Sequence, residues 1–309
     1  MSVPVIKDGH RFITVDVFTE TPFAGNQLAV FPDARGIPEE RLAAIAREFN
    51  LSETVFVYPA KSKRHARKLR IFTPAEELPF AGHPTVGTAF VLTAIGEIKL
   101  TGVETRFVFE EGVGPVPVMV RANGKKPAFA QLTTARLPEV GPPPPGRTFL
   151  AEMLGLDPAD LAGGMSAPQA VTCGLPFLFV PVRDRDAVKR ARIRMDHWES
   201  TLKSYWAPQL MVFSRDAEQP GADVHARVFV PGLAVPEDPA TGSAAAALGG
   251  YLAARESATD GTLRWLVEQG VEMGRPSFLH IEVDKMAGEI TAVRVGGSCV
   301  IVSEGKVAT

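Results

Sequence analysis

FAGHPTVGTAFVL, residues 80–92, is nearly repeated later in the same chain as PEDPATGSAAAAL, residues 236–248. His83-Pro84-x-x-Gly87-Thr88-Ala89 in the first box is answered by Asp238-Pro239-x-x-Gly242-Ser243-Ala244 in the second. Each box has the chemistry of a helix start. His83 or Asp238 is expected at the N-cap and Pro84 or Pro239 at the first helical position, where a missing N–H costs nothing. The apolar runs that follow end at Gly96 and at Gly249-Gly250. Helices that are apolar all round belong inside a domain. Each box therefore predicts a central helix wrapped by the strands of its own domain.

The repetition extends outward. Arg70-Ile71-Phe72-Thr73-Pro74 precedes the first box and Arg227-Val228-Phe229-Val230-Pro231 the second, and NQLAVF (26–31) echoes PQLMVF (208–213). The boxes lie about half the chain apart, a period that points to two related domains rather than a solenoid. The expected division is a first domain over 1–135, a second over 145–294, and a proline-rich connector over 138–147. A last strand at about 295–309 is expected to return to the first domain. PEERLAAIAREFN reads as an amphipathic helix, whereas ETVFVYP and RKLRIFTP alternate like paired strands. The basic run KSKRHARK between them reads as a solvated hairpin tip, since the chain as a whole is acidic.

The 309 residues carry a net charge of -2, with 45% hydrophobic and 22% charged residues, an ordinary globular composition. That balance gives no electrostatic case for nucleic acid or an anionic membrane. The N-terminus has no apolar run of signal-peptide length and no stretch of the chain is of transmembrane length, so a cytoplasmic, reduced setting is expected. Cys173 and Cys299 form no metal or disulfide pattern, and the scattered histidines have no partners at ligand spacing. No metal is expected.

Two buried helices with free N-terminal N–H groups make two anion-favouring ends. If these ends face one another, a cleft between the domains would hold a small carboxylate, touched by His83, Asp238 and the hydroxyls of Thr88 and Ser243. Simple capping is the competing account. It suffices for Asp238 taken alone and is weaker for His83, because histidine is a poor N-cap. In NLSETVFV (50–57), Glu53 follows a helix and opens an apolar strand. Such a glutamate is ordinarily a solvated turn residue, and it gains interest from its company.

Together VDVFTETPFAGNQLAVF, NLSETVFV, FAGHPTVGTAFVL and EDPATGSAAAAL resemble the PhzF-like isomerases of phenazine biosynthesis. The resemblance implies an α+β, diaminopimelate-epimerase-like fold: two pseudo-duplicated domains, each a curved sheet around a central helix, with the active site between them. It also implies a homodimer and no cofactor. In that superfamily, amino-acid epimerases use a cysteine at each box. Here His83 and Asp238 stand in the boxes, which disfavours a two-thiol racemase. The family pattern instead assigns general acid–base work to Glu53, with His83 and Asp238 orienting the substrate and helping to move the proton. Ser52, Gly82, Gly242 and Ser243 match positions that line or bind substrate.

The leading reading is a cofactor-free isomerase shifting a proton within a small unsaturated or cyclic carboxylic acid, of the trans-2,3-dihydro-3-hydroxyanthranilate isomerase type. An amino- or hydroxy-acid epimerase without catalytic cysteines is a second reading, and a non-catalytic carboxylate-binding protein a third. As a base, Glu53 should be partly buried, because a free carboxylate, with a pKa of about 4.3, is weakly basic.

Overall fold

The computed structural model describes residues 9–233 and 235–309, so the first eight residues of the expected first domain lie outside the described residues. The chain begins with β1 (His10–Val17), β2 (Asn26–Phe31), α1 (Glu39–Phe49), β3 (Glu53–Tyr58), β4 (Arg67–Phe72) and β5 (Glu77–Leu78). After α2 (Gly82–Ala94) come β6 (Glu104–Glu111), β7 (Gly114–Asn123) and β8 (Lys126–Thr133). Next are β9 (Glu139–Val140), α3 (Arg147–Leu154), β10 (Gln169–Thr172), β11 (Pro176–Pro181), α4 (Arg185–Arg190), α5 (Met195–Ser200) and β12 (Gln209–Ser214). The remainder is β13 (Val224–Val230), β14 (Val235–Asp238), α6 (Gly242–Ala253), β15 (Gly261–Gln269), β16 (Ser277–Met286), β17 (Glu289–Gly297) and β18 (Cys299–Val307). Strands dominate and helices are few, as the expected α+β class requires.

The chain divides into two compact units. The first runs to Leu132 and takes back Gly297–Thr309, so that β18 pairs antiparallel with β1. The second is Thr133–Gly296, and it contains the proline-rich stretch 138–147, part of which forms β9 against β10.

Within each unit the strands follow one plan. In the first, β1–β2 is antiparallel, β2–β3 parallel, β3–β4 antiparallel, β4–β6 parallel, and β6–β7 antiparallel. In the second, β10–β11, β11–β12, β12–β13, β13–β15 and β15–β16 repeat those senses in order. The strands of each unit surround one apolar helix: α2 is buried from Gly82 through Thr93, and α6 is buried at every residue except Ser243. Small residues permit the close approach. A Cβ at Gly87 would come within 2.6 Å of Val17 Cγ2, and one at Gly249 within 2.8 Å of Ile281 Cγ2.

The ladders set the correspondence between the units residue by residue. Lys68 is registered with Glu110 and His225 with Glu268, while Ile71 faces Leu78 and Val228 faces Asp238. Arg70 thus matches Arg227 and Glu77 matches Glu237. Each arginine grips its own glutamate, at 2.6 Å in the first unit and 2.7 Å in the second. In this frame Leu78 matches Asp238, Pro79 matches Pro239, Gly82 matches Gly242 and His83 matches Ser243. The pairing of His83 with Asp238 expected from the letters is therefore displaced by five residues. Strand pairing, rather than the shared Pro-x-x-Gly spacing, fixes where each helix begins. The echo of NQLAVF in PQLMVF is also not a structural equivalence, because the first is β2 and the second lies in β12, the counterpart of β3.

Candidate active site

In the first unit, parallel pairing of β2 with β3 sets Leu28 beside Glu53, the first residue of β3. Asn26, the first residue of β2, is fully buried. His83 is the second residue of α2, whose N-cap is Ala81 with an extended backbone (φ -150, ψ 143). The expected N-cap placement of His83 is thus corrected. The β5 ladder brings the chain to Ala81, and the helix starts from there. Pro84 still sits in the first turn, where no intrahelical N–H is needed.

These elements bring Glu53 and His83 together: His83 Nε2 lies 3.2 Å from Glu53 Oε2, with the side chains 4% and 15% exposed. On the other side of the ring, Asn26 Nδ2 lies 3.3 Å from His83 Nδ1. The donor and acceptor roles of the two ring nitrogens follow the tautomer. Burial pushes the His83 imidazole down to about 3, against the smaller opposing pull of the Gln27 backbone. His83 is accordingly neutral at physiological pH. Glu53 is half-buried, with its side chain 15% exposed.

In the second unit, Asp238 closes β14 and Thr241 is the N-cap of α6, so Asp238 and Pro239 both precede the helix. This corrects the N-cap placement expected for Asp238. The turn is closed by Gln269, which is fully buried. Its Nε2 donates to Asp238 O at 2.7 Å and to Thr241 Oγ1 at 3.1 Å, and its Oε1 accepts from Thr241 N at 3.2 Å. Because the Thr241 hydroxyl accepts from that amide, its own hydrogen goes to Asp238 Oδ2, 2.5 Å away. Asp238 is thereby held as an acceptor.

Gly82 and Gly242 are the first residues of α2 and α6, and Ser243 is the second residue of α6. Neither helix has a side-chain cap hydrogen bond, which leaves the first-turn N–H groups of both without a capping side chain. Ser52 is half-buried immediately before β3. Thr88 departs from expectation: it lies in the body of α2, fully buried, rather than at the helix start. Cys173 and Cys299 are buried, and burial pushes both thiols up to about 12. Among the described residues no group of His, Cys, Asp and Glu could hold a metal ion.

The ladders also show where the two copies diverge chemically. Thr54 faces Phe72 and Leu210 faces Phe229, so Glu53 corresponds to Gln209, an amide that is 3% exposed. Asn26, Thr241 and Gln269 were not singled out from the sequence. A signal for Gln269 existed in Phe109-Glu110-Glu111-Gly112 against Val267-Glu268-Gln269-Gly270, two strand ends of the same pattern.

The phenazine biosynthesis-like protein family model matches residues 15–305. An uncharacterized isomerase of Mesorhizobium japonicum is 40% identical over 96% of this chain and 98% of its own. The trans-2,3-dihydro-3-hydroxyanthranilate isomerase of Pseudomonas aeruginosa is 34% identical over 96% of this chain and 99% of its own. Among solved structures, the Bacillus anthracis phenazine biosynthesis protein of the PhzF family superposes with a TM-score of 0.88, at 25% identity, over 98% of this chain and 100% of that one.

Proposed function

As a member of the phenazine biosynthesis-like protein family this chain is an isomerase, and we propose that it moves a proton within a small unsaturated or cyclic carboxylic acid, with Glu53 taking and returning that proton. The observation that supports this reading is the Glu53–His83 contact of 3.2 Å, in which a half-buried carboxylate meets a buried ring. The ring is neutral, so it sets no full counter-charge beside the carboxylate that would weaken it as a base.

In the proposed step Glu53 removes a hydrogen as a proton. The C–H electron pair spreads into the neighbouring double bond and carboxylate. Return of the proton to the far carbon of that system relocates the double bond, and nothing is oxidised or reduced. Asp238, with Ser243 and the uncapped turn at Gly242, is assigned to orienting the substrate and handling its proton; Ser52 and Gly82 are assigned to substrate contact. N–H groups directed at charge that develops on deprotonation are the kind of electrostatic assistance this chemistry uses.

Incubation with trans-2,3-dihydro-3-hydroxyanthranilate in D₂O tests the reaction class. A relocated double bond, with solvent deuterium at the carbon that gains hydrogen, is expected. Inversion at a stereocentre without a bond shift would contradict the isomerisation in favour of epimerase chemistry, and binding without conversion would contradict catalysis on this acid.

A further inference from the structure

One buried carboxyl plays no part in the proposed proton transfer. Glu111 ends β6, is 8% exposed, and lies against the first turns of α2. Its Oε1 is 2.7 Å from the hydroxyl of Thr85, and the same hydroxyl is 2.8 Å from the Ala81 carbonyl oxygen. A threonine hydroxyl has one hydrogen, and a carbonyl oxygen can only accept. Both contacts reach full strength at once only when Glu111 itself carries a hydrogen and gives it to Thr85, because one hydroxyl hydrogen shared between two acceptors is weaker at each. With an ionised Glu111, Thr85 would have to turn to the carboxylate, leaving the Ala81 carbonyl against a lone pair.

The second unit supports this proton count. There the position of Glu111 is held by Gln269, a permanent donor that closes on Thr241, the α6 counterpart of Ala81. The neighbouring residues also agree. Glu110 accepts from the backbone N–H of Lys61 and Ser62, as Glu268 does from Glu218 and Gln219. A carboxylic acid is close in shape to a primary amide, and each holds the start of its helix, Glu111 through Thr85 in the first turn and Gln269 through the N-cap Thr241. The surroundings of Glu111 suit the neutral form. Its register partner on β7 is Gly114, its partner on α2 is Thr85, and Pro79 crosses the adjacent Gly112. None of these carries a charge, and no ion pair reaches Glu111 among the described residues. Burial pushes its carboxyl up to about 8.

We propose that Glu111 is a positioning residue that works as a neutral carboxylic acid, donating its hydrogen to Thr85 and so fixing the first turn of α2, which presents Gly82 and His83. Its importance for turnover rests on the reading of Glu53 and His83 as the site, whereas the proton count does not. The experiment therefore has two arms, on wild type, Glu111→Gln, Glu111→Leu and Thr85→Val.

The first arm follows the ¹⁵N shifts of the His83 ring and the Tm from pH 5 to 9, and needs no substrate. Wild type is expected to show a step in the His83 shifts near pH 8, and Glu111→Gln none. The Tm advantage of Glu111→Gln over wild type should widen by about 2 °C or more as pH rises across that range. Identical pH behaviour in the two proteins would overturn the proposal. The second arm measures kcat/KM against pH on trans-2,3-dihydro-3-hydroxyanthranilate. Glu111→Leu and Thr85→Val should lose at least about tenfold, and Glu111→Gln should recover most of that loss without the wild-type decline above pH 8. A Gln variant as impaired as the Leu variant would also overturn it. If wild type does not turn over this acid, the reaction assignment fails while the first arm still decides the role of Glu111.

Discussion

His83 Nε2 stands 3.2 Å from Glu53 Oε2, and the ring is the more deeply buried partner. That order of burial keeps the histidine neutral and leaves the glutamate the more exposed of the two. It has consequences in acid and in substitution.

The first concerns acid stability. Burial holds His83 at about 3, below the ordinary 6.5 of a free histidine. As pH falls through 6.5 the unfolded chain takes up a proton that the folded one refuses. Stability from this group is therefore full above 6.5 and is lost as pH falls toward 3. In His83→Gln the fall of Tm between pH 6.5 and 4 should be shallower than in wild type. The same depression means that kcat/KM should show no acid limb near pH 6.5 arising from His83.

A second prediction concerns the other unit. His225 Nδ1 lies 2.6 Å from Glu268 and its Nε2 lies 2.8 Å from Glu272. Burial pulls this imidazole down, but the two carboxylates outweigh it and the ring is raised above its ordinary range. With the folded value above 6.5, the stabilisation is complete below 6.5 and is lost as pH rises through the folded value. His225→Leu leaves Glu268 buried without its cation and should cost about 3–5 kcal/mol in denaturant unfolding.

Gln269 and Glu111 hold equivalent positions, so the reverse exchange is informative. Gln269→Glu places an acid where the donors to Asp238 O and Thr241 are needed. The variant should lose about 1–3 kcal/mol at neutral pH and recover part of it on acidification, when the carboxyl carries its hydrogen. Denaturant melts at pH 5 and pH 8 measure this.

The cysteines should be silent. Both thiols are buried and pushed up to about 12, so native protein should react slowly with thiol reagents. Cys173→Ala and Cys299→Ala should turn over within about threefold of wild type, unlike a racemase that uses thiols as its bases.

The duplication was legible because two apolar helices each follow a box with Gly and Pro at fixed spacing. The true register was not, since letter matching pairs His83 with Asp238, whereas backbone pairing of Ile71 with Leu78 and of Val228 with Asp238 decides it. His83 and Asp238 stood out in their boxes, whereas Glu53 gained interest only through its company and the family resemblance. Asn26, Thr241 and Gln269 act through partners that only folding brings near: Asn26 meets His83, and Gln269 closes the Asp238–Thr241 turn. Glu111 was hidden for a different reason. An acidic residue beside Glu110 at a strand end looks like solvated surface until burial removes the water.

The central claim is that Glu53 moves the proton, and the most direct measurement is the rate of Glu53→Gln on trans-2,3-dihydro-3-hydroxyanthranilate in D₂O. The amide keeps the shape but cannot accept the proton. Isomerisation and deuterium uptake should both fall by about 10²–10⁴-fold with Tm nearly unchanged. Wild-type rates in a folded Glu53→Gln protein would contradict the assignment.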